Sequence, residues 1–412
     1  MSQQVETVIV GAGQAGLAVS HLLRRAGREH LVLERGRAAS AWRERRWDSF
    51  RLVLPNRYWL TPGTAYDGPE PDGFMAKHEV IERFERYIAR EQPQLVEHNA
   101  VSGISLLALR RFSVQAAQGA LLCRNVVIAT GPYQSPSVPG WSAGLDQAIF
   151  QLHSDSYRNP AQLPDGAVLV VGTGQSGVQI AEELLLAGRR VYLCVGSRGW
   201  LPRRYLGRDI TNWYAEMGLF DTTIDAFPSL AAARASGFSQ LAGDEGRGHD
   251  VNVHALARAG VVLLGRAVGG TGRTVQLAQL EANLGAADAF AQRAKGLIDQ
   301  YIAAGHAQGR VHDGPEDPWP HYPPPELDLR EQIDLAAEGI GAVVWAGGYR
   351  PDYGFLRIPV VDGAGYPQHR RGVTSVAGLY FAGLEWQYRR KSSTLMAGEE
   401  DAAFIVAHLC GD

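Results

Sequence analysis

Three apolar runs open the chain in a regular order. Val8-Ile9-Val10 leads into a glycine-rich stretch, and Leu17-Ala18-Val19 with Leu22-Leu23 then places apolar positions on a helical face. His30-Leu31-Val32-Leu33 follows as a second run of strand length. Short continuous apolar runs bounded by glycine are what a parallel strand buried on both faces requires. The pattern therefore predicts strand, helix and strand over residues 5–33. The same order returns at Val168-Leu169-Val170-Val171, a helix from Val178 to Leu186, and Val191 to Val195. The first glycines of the two units, Gly11 and Gly172, stand 161 positions apart.

Between and beyond these units the pattern is readable in parts. His78 to Arg90 carries Val80, Ile81, Phe84, Tyr87 and Ile88 on one helical face. Strand-like runs follow at Leu95–Glu97, Val101–Leu106, Phe112–Gln115 and Leu121-Leu122. Asn125 to Pro132 is an apolar strand ending in Ala129-Thr130-Gly131, where the backbone can pass close to a ligand. Ala342 to Pro351, through Gly348, repeats that exit, and Gly378 to Gln387 forms a third one through Gly383. Helices are predicted over Trp213–Phe220, Ala286–Ala304 and Thr394–Leu409. The fold class expected is α/β, with two Rossmann-like dinucleotide-binding domains, the second inserted into the first. The expected bounds are 1–162, 163–335 and 336–412, the last segment returning to the first domain. Pro315 to Pro325 is proline-rich and reads as a crossover back to that domain, with a recognition segment for a partner as the alternative.

Composition changes this picture little, and cysteine usage changes it usefully. The 412 residues are 45% hydrophobic and 20% charged, ordinary for a globular protein. A net charge of −3 gives no reason to expect nucleic acid or an anionic membrane surface. No apolar stretch approaches the length of a membrane span. The first strand begins by Val5, so no leader peptide is expected. Cys123, Cys194 and Cys410 form no CxxC pair, so a cytoplasmic setting is expected and a redox dithiol is not. Histidine and cysteine show no metal-ligand spacing. The composition leaves a homodimer open.

The chemistry lies in the glycine stretches. Gly11-Ala12-Gly13-Gln14-Ala15-Gly16 joins the first strand to its helix in the GxGxxG pattern of a dinucleotide site. Gly11 serves the sharp turn, Gly13 the approach of a pyrophosphate, and Gly16 the packing of helix on sheet. Glu34, with Arg35 beside it, ends the second strand, where a carboxylate can accept from ribose hydroxyls. Gly172-Thr173-Gly174-Gln175-Ser176-Gly177 repeats the turn. Its second strand ends in Gly196-Ser197-Arg198 instead of an acid, which suits a ribose 2′-phosphate and hence NADPH. Arg203 and Arg204 are further candidates for that phosphate, with a solvated arginine cluster as the alternative.

Ser40 to Pro62 crowds Trp42, Arg43, Arg45, Arg46, Trp47, Phe50, Arg51, Tyr58 and Trp59 together. That composition suits either a surface helix with arginine stems on rings or a segment wrapping a planar cofactor and its phosphates. Trp42, Arg43 and Trp47 are the cofactor candidates here, and Val101 is a further one. Asn56 is either turn chemistry or a donor directed into a pocket. His153 reads as a loop histidine with a local hydrogen bond.

On these motifs the chain resembles the class B flavoprotein monooxygenases, which include flavin-containing monooxygenases, YUCCA-type enzymes, N-hydroxylases and Baeyer–Villiger enzymes. Gly11–Gly16 and Glu34 match that family's FAD site, and Gly172–Gly177 with Ser197 and Arg198 its NADPH site. His153 and Tyr157 keep half of its FxGxxxHxxxY linker signature, while Gln147 and Ile149 stand at the Phe and Gly. The resemblance implies FAD and NADPH as cofactors, O2 and a small organic molecule as substrates, and one oxygen atom inserted through a C4a-(hydro)peroxyflavin. N-oxygenation, S-oxygenation and Baeyer–Villiger insertion all stay open. It further implies Asn56 as a donor to NADP and the oxygenated flavin, with Trp386 and Gln387 lining the ring. The alternatives are a reductase passing electrons to a redox partner and a flavin-binding scaffold without chemistry.

Overall fold

The strands buried on both faces form the centre of the molecule. The computed structural model describes residues 3–62, 64–307, 316–323 and 325–411. In it β1 (Gln3–Val10) fully buries Val8 and Ile9 and leads through the glycine turn into α1 (Gln14–Arg25) and β2 (His30–Leu33). A short α2 (Ser40–Glu44) and a long α3 (Lys77–Glu91) precede β3 (Leu95–Val96), β4 (Val101–Leu107), β5 (Arg111–Ala116) and β6 (Gly119–Ile128). The sheet order is β3-β2-β1-β6-β5-β4. β6 has two functions along its length. Its first half pairs antiparallel with β5, and Val126–Ile128 pairs parallel with Leu379–Phe381 from near the C-terminus.

A second sheet is built in the same way from β7 (Phe150–His153), β8 (Ala167–Val171), α4 (Gln175–Leu186) and β9 (Val191–Cys194). The chain then forms α5 (Ile210–Glu216), α6 (Leu230–Ala235), α7 (Val253–Arg258) and β10 (Val262–Leu264). After α8 (Leu280–Ala307) it returns as β11 (Ile340–Trp345), β12 (Leu379–Phe381) and α9 (Glu400–Cys410). The second sheet runs β10-β9-β8-β11-β7, all parallel. Its order repeats β3-β2-β1-β6-β12 of the first sheet strand for strand. The α/β class with two dinucleotide-type folds is therefore as expected.

The strand pairing departs from the expected bounds. β7 lies before 163 and β11 after 335, yet both pair within the second sheet. Parallel partners are remote in sequence, so an apolar run does not show which sheet it joins. Helix ends also move. α8 starts six residues before Ala286. The helix expected from Thr394 begins only at Glu400, because Gly398 at φ +58° breaks the chain after a short tight turn at Leu395–Ala397. The helix expected over Trp213–Phe220 is α5 followed by a separate short turn at Leu219–Asp221. Of the proline-rich stretch, Pro315 and Pro324 lie outside the described residues. Its Tyr322 stacks on His254 of α7, with ring centroids 5.6 Å apart, so this part packs on the second unit. Among the described residues no helix is long and apolar enough to cross a membrane.

Candidate functional site

Both glycine turns have the same steric signature. A Cβ on Gly11 would lie 2.6 Å from the Ala129 carbonyl oxygen, and one on Gly172 would lie 2.7 Å from that of Ala346. A Cβ on Gly16 or Gly177 would lie 1.9 Å from the oxygen of Gly11 or Gly172. These four positions are closed by the protein itself. Gly13 and Gly174 are the opposite case, since a Cβ there would meet nothing within 4 Å. Each is the N-cap of its helix, and no side chain caps α1 or α4. By contrast α5, α6 and α7 are capped by Asp209, Ser229 and Asn252. Open space beside uncapped first-turn N–H groups at a partial positive charge fits an anionic diphosphate at both turns.

Gln14 and Gln175 follow the open glycines and act alike. Gln14 Nε2 donates to Ser393 O at 2.7 Å, while Gln175 Oε1 accepts from Gln240 N at 3.1 Å and its amide also bonds Leu241 O. Their side chains anchor a distant segment beside each turn. Ala15 and Ser176 lie in the adjoining first turns. Glu34 is buried at the end of β2. It accepts from Ala12 N at 2.8 Å, Gly36 N at 3.1 Å and Ser40 Oγ at 3.2 Å. A carboxylate has about four acceptor positions, so one stays open for a ribose hydroxyl. Asn99 N donates to Glu34 O at 2.8 Å, which brings Val101 toward the same corner, while Arg35 is exposed.

The second corner separates the arginines. Ser197 and Arg198 are exposed after β9, and Arg198 Nη1 donates to Arg234 O at 2.9 Å. Arg203 is only 1% exposed. Its Nε bonds Asp209 Oδ2 at 2.7 Å, its Nη1 bonds Val53 O at 2.7 Å, and its guanidinium lies over the Phe74 ring. Arg204 Nε bonds Asp317 Oδ2 at 2.9 Å. Both expected phosphate ligands are thus committed to internal ion pairs. Arginine so near a strand end reads as a phosphate ligand only until the fold supplies its acid, and Asp209 and Asp317 gave no sign of doing so.

The aromatic segment is mostly packing. Trp47 is buried edge-to-face on Phe50 at 5.2 Å, so it belongs to the core. Arg43 is held by Ala38 O at 3.0 Å and Glu85 at 2.9 Å. Trp42 also packs on Phe50, with ring centroids 5.9 Å apart. Arg46 lies over Trp42, Phe50 and Tyr133 and has no carboxylate partner among the described residues. Asn56 takes the structural option. Its Nδ2 donates to Glu70 O at 3.0 Å and its Oδ1 accepts from Met75 N at 2.8 Å, pinning the loop between them.

The exits converge. Thr130 accepts from Gln134 at 2.6 Å just before Tyr133, and Tyr133 packs on Tyr349, which follows Gly348. His153 Nε2 donates to Gly348 O at 3.0 Å, and its Nδ1 accepts from Asp155 N at 3.0 Å. Burial holds its pKa below the usual histidine value, consistent with this neutral tautomer. A Cβ on Gly383 would lie 2.6 Å from that of Ala15, so β12 exits directly onto α1. Trp386 is buried at φ +56° between Phe227 and Arg390. Strain of this kind at a buried aromatic marks a position held by its surroundings. Gln387 does not line an open ring site: it is 1% exposed and packs beside Gly372 and Ile405, with Nε2 lacking a partner. The sequence reading missed the segment 219–236, which covers Trp386 to Lys391. Ile224 N donates to Tyr388 O, and Arg390 N to Thr222 O. Nothing in its composition announces that contact.

Comparison with known proteins agrees with this geometry. Residues 8–214 match the family described as pyridine nucleotide-disulphide oxidoreductase. An uncharacterized CzcO-like oxidoreductase of Geobacillus kaustophilus is 31% identical over 98% of both chains. A probable indole-3-pyruvate monooxygenase of Arabidopsis thaliana, YUCCA3, is 30% identical over 49% of this chain and 48% of its own. The solved flavin-containing monooxygenase of Stenotrophomonas maltophilia shares the fold at a TM-score of 0.61, with 20% identity and 99% of each chain covered.

Proposed function

The chain belongs to the pyridine nucleotide-disulphide oxidoreductase family, and we propose that within it the protein works as a class B flavoprotein monooxygenase. FAD takes the first glycine turn, NADPH the second, and O2 and a small organic molecule are the substrates. The carrying observation is a pair of open, uncapped glycine turns in a chain whose described cysteines are all free and form no CxxC pair. Such a chain can accept hydride but offers no dithiol to pass the electrons on, which favours oxygen over a disulfide as acceptor. The half-length likeness to YUCCA3 supports oxygenation in the same sense.

When bound, FAD supplies the redox and oxygen chemistry and NADPH the hydride. The protein's residues orient and shield. The first turns of α1 and α4 hold the diphosphates, and Glu34 takes the ribose. His153 ties the exit at Gly348 to β7, and the segment 219–236 closes over Trp386 to keep water out. Anaerobic mixing with NADPH, followed by oxygen, tests the assignment. Reduction and then a spectral species unlike oxidised or reduced flavin, persistent only with NADP present, is the expected result. Immediate reoxidation with transfer of electrons to an added protein acceptor would instead establish the reductase.

Coenzyme choice has its own test. Arg198→Ala removes the exposed guanidinium at the end of β9. We expect KM for NADPH to rise about tenfold to a hundredfold, as loss of a charge-assisted contact requires, with NADH use little changed. Equal losses with both coenzymes would remove Arg198 from the 2′-phosphate site.

A further inference from the structure

A small cavity of about 30 Å³ lies where the first turn of α1 meets the chain before α9. That volume has room for about a water molecule or two. Gln14 and Ala15 line it from α1, Gly383 from the exit of β12, Ser393 and Thr394 from the intervening loop, and Asp401 from the first turn of α9. Asp401 therefore lines the same small cavity as the first turn whose N–H groups would receive the FAD diphosphate.

No basic side chain lines the cavity, and the one favourable backbone field on the carboxylate is the partial positive charge of the helix first turns. Gln14, Ala15 and Ala18 of α1, Ala382 and Gly383 of the exit, and Thr61 are uncharged. From the preceding loop, Arg389 and Lys391 both pair with Glu400, at 2.5 and 2.6 Å. Arg371 is held between the rings of Tyr388 and Phe404. Burial pushes the Asp401 carboxyl above the usual range, and Glu400 adds to that. The Ser392 hydroxyl and the more distant Arg371 and Arg389 oppose it. A carboxylate here would face an anionic cofactor across low-dielectric space, and like charges so placed favour the protonated acid.

We propose that Asp401 serves the FAD site as a neutral carboxylic acid, taking up a proton from solvent as the cofactor binds. The proton adds to a carboxylate oxygen, no other bond changes, and the resulting O–H becomes a donor beside the diphosphate. The proposal rests on the FAD reading of the first turn. Its consequence is a linkage: a ligand that prefers the protonated form binds more tightly as pH falls. Above the pKa of the cofactor-free protein, FAD affinity decreases by up to about tenfold per pH unit.

The test uses the full chain stripped of flavin and titrated with FAD by fluorescence between about pH 5 and about pH 9. Calorimetry in two buffers of different ionisation heat counts protons. Wild type should show falling affinity with rising pH and net proton uptake. Asp401→Asn, which keeps the shape without the charge, should show neither and should exceed wild type in affinity at the alkaline end. Asp401→Ser serves as a second neutral variant should the amide disturb folding. An identical pH slope and proton count in wild type and the neutral variants overturns the proposal while leaving FAD binding intact. Absence of FAD binding to wild type at every pH overturns the cofactor reading itself, and the proposal with it.

Discussion

Gly13→Asp is expected to leave the protein folded and to remove its flavin. A Cβ at this position meets nothing within 4 Å, and φ is −84°, a value any residue adopts, so the apoprotein has no steric reason to lose stability. The new carboxylate stands where the diphosphate must come and repels it at short range. Loss of the phosphate contacts and the added repulsion together predict at least about a hundredfold weaker FAD binding. Flavin content on purification and the unfolding temperature of the cofactor-free chain measure the two halves separately. Gly16→Ala provides the contrast. Its Cβ would lie 1.9 Å from the Gly11 carbonyl oxygen, so α1 must move off the sheet, and stability and flavin should be lost together. Gly174→Asp should retain flavin and lose NADPH oxidation. A yellow Gly13→Asp protein would show that the first turn does not hold the cofactor.

Arg203→Ala should destabilise the chain by about 3–5 kcal/mol, the usual cost of leaving one partner of a buried ion pair unpaired. The Arg203 and Asp209 side chains are 2% and 5% exposed, so solvent screens them little. Asp209 also caps α5 through Thr211 N at 2.8 Å, and Arg203 reaches Val53 O of the first unit. The deletion therefore leaves a buried carboxylate and loosens a contact between the two nucleotide folds. Urea unfolding measures the loss. The double variant Arg203→Met with Asp209→Asn should recover much of it, because no charge is then left buried without its partner. Near-normal stability combined with a tenfold rise in KM for NADPH would return Arg203 to the phosphate site.

The two predictions draw on unequal shares of sequence and structure. Gly13 could be placed at the strand-to-helix turn from spacing alone, because the strand, turn and helix that give it meaning are contiguous. Arg203 could not. Its position after β9 suggested phosphate, and only the approach of Asp209 and Val53 showed that the guanidinium is already satisfied. Asn56 behaved likewise: two readings were open, and the backbone of Glu70 and Met75 selected the turn. Gln387 was placed at the flavin ring by the family resemblance, whereas the fold buries it beside Gly372, only 1% exposed. Asp401 carries no motif in the sequence, and its place on the cavity beside Gln14 of α1 joins residues 387 positions apart.

By itself the sequence determined the two βαβ units, their glycine turns, the acidic tip at Glu34, the Ser197-Arg198 tip and the absence of a CxxC pair. Each of these is local, written in the hydrophobic period and in positions where a side chain is sterically intolerable. Tertiary structure alone decided that β7 and β11 join the second sheet, that Arg203, Arg204 and Asn56 have internal partners, and that 219–236 covers the third exit. These depend on which remote groups meet. A polar side chain takes whichever partner the fold brings within hydrogen-bond distance, and a parallel strand pairs with one far along the chain. Local pattern carries no record of either choice.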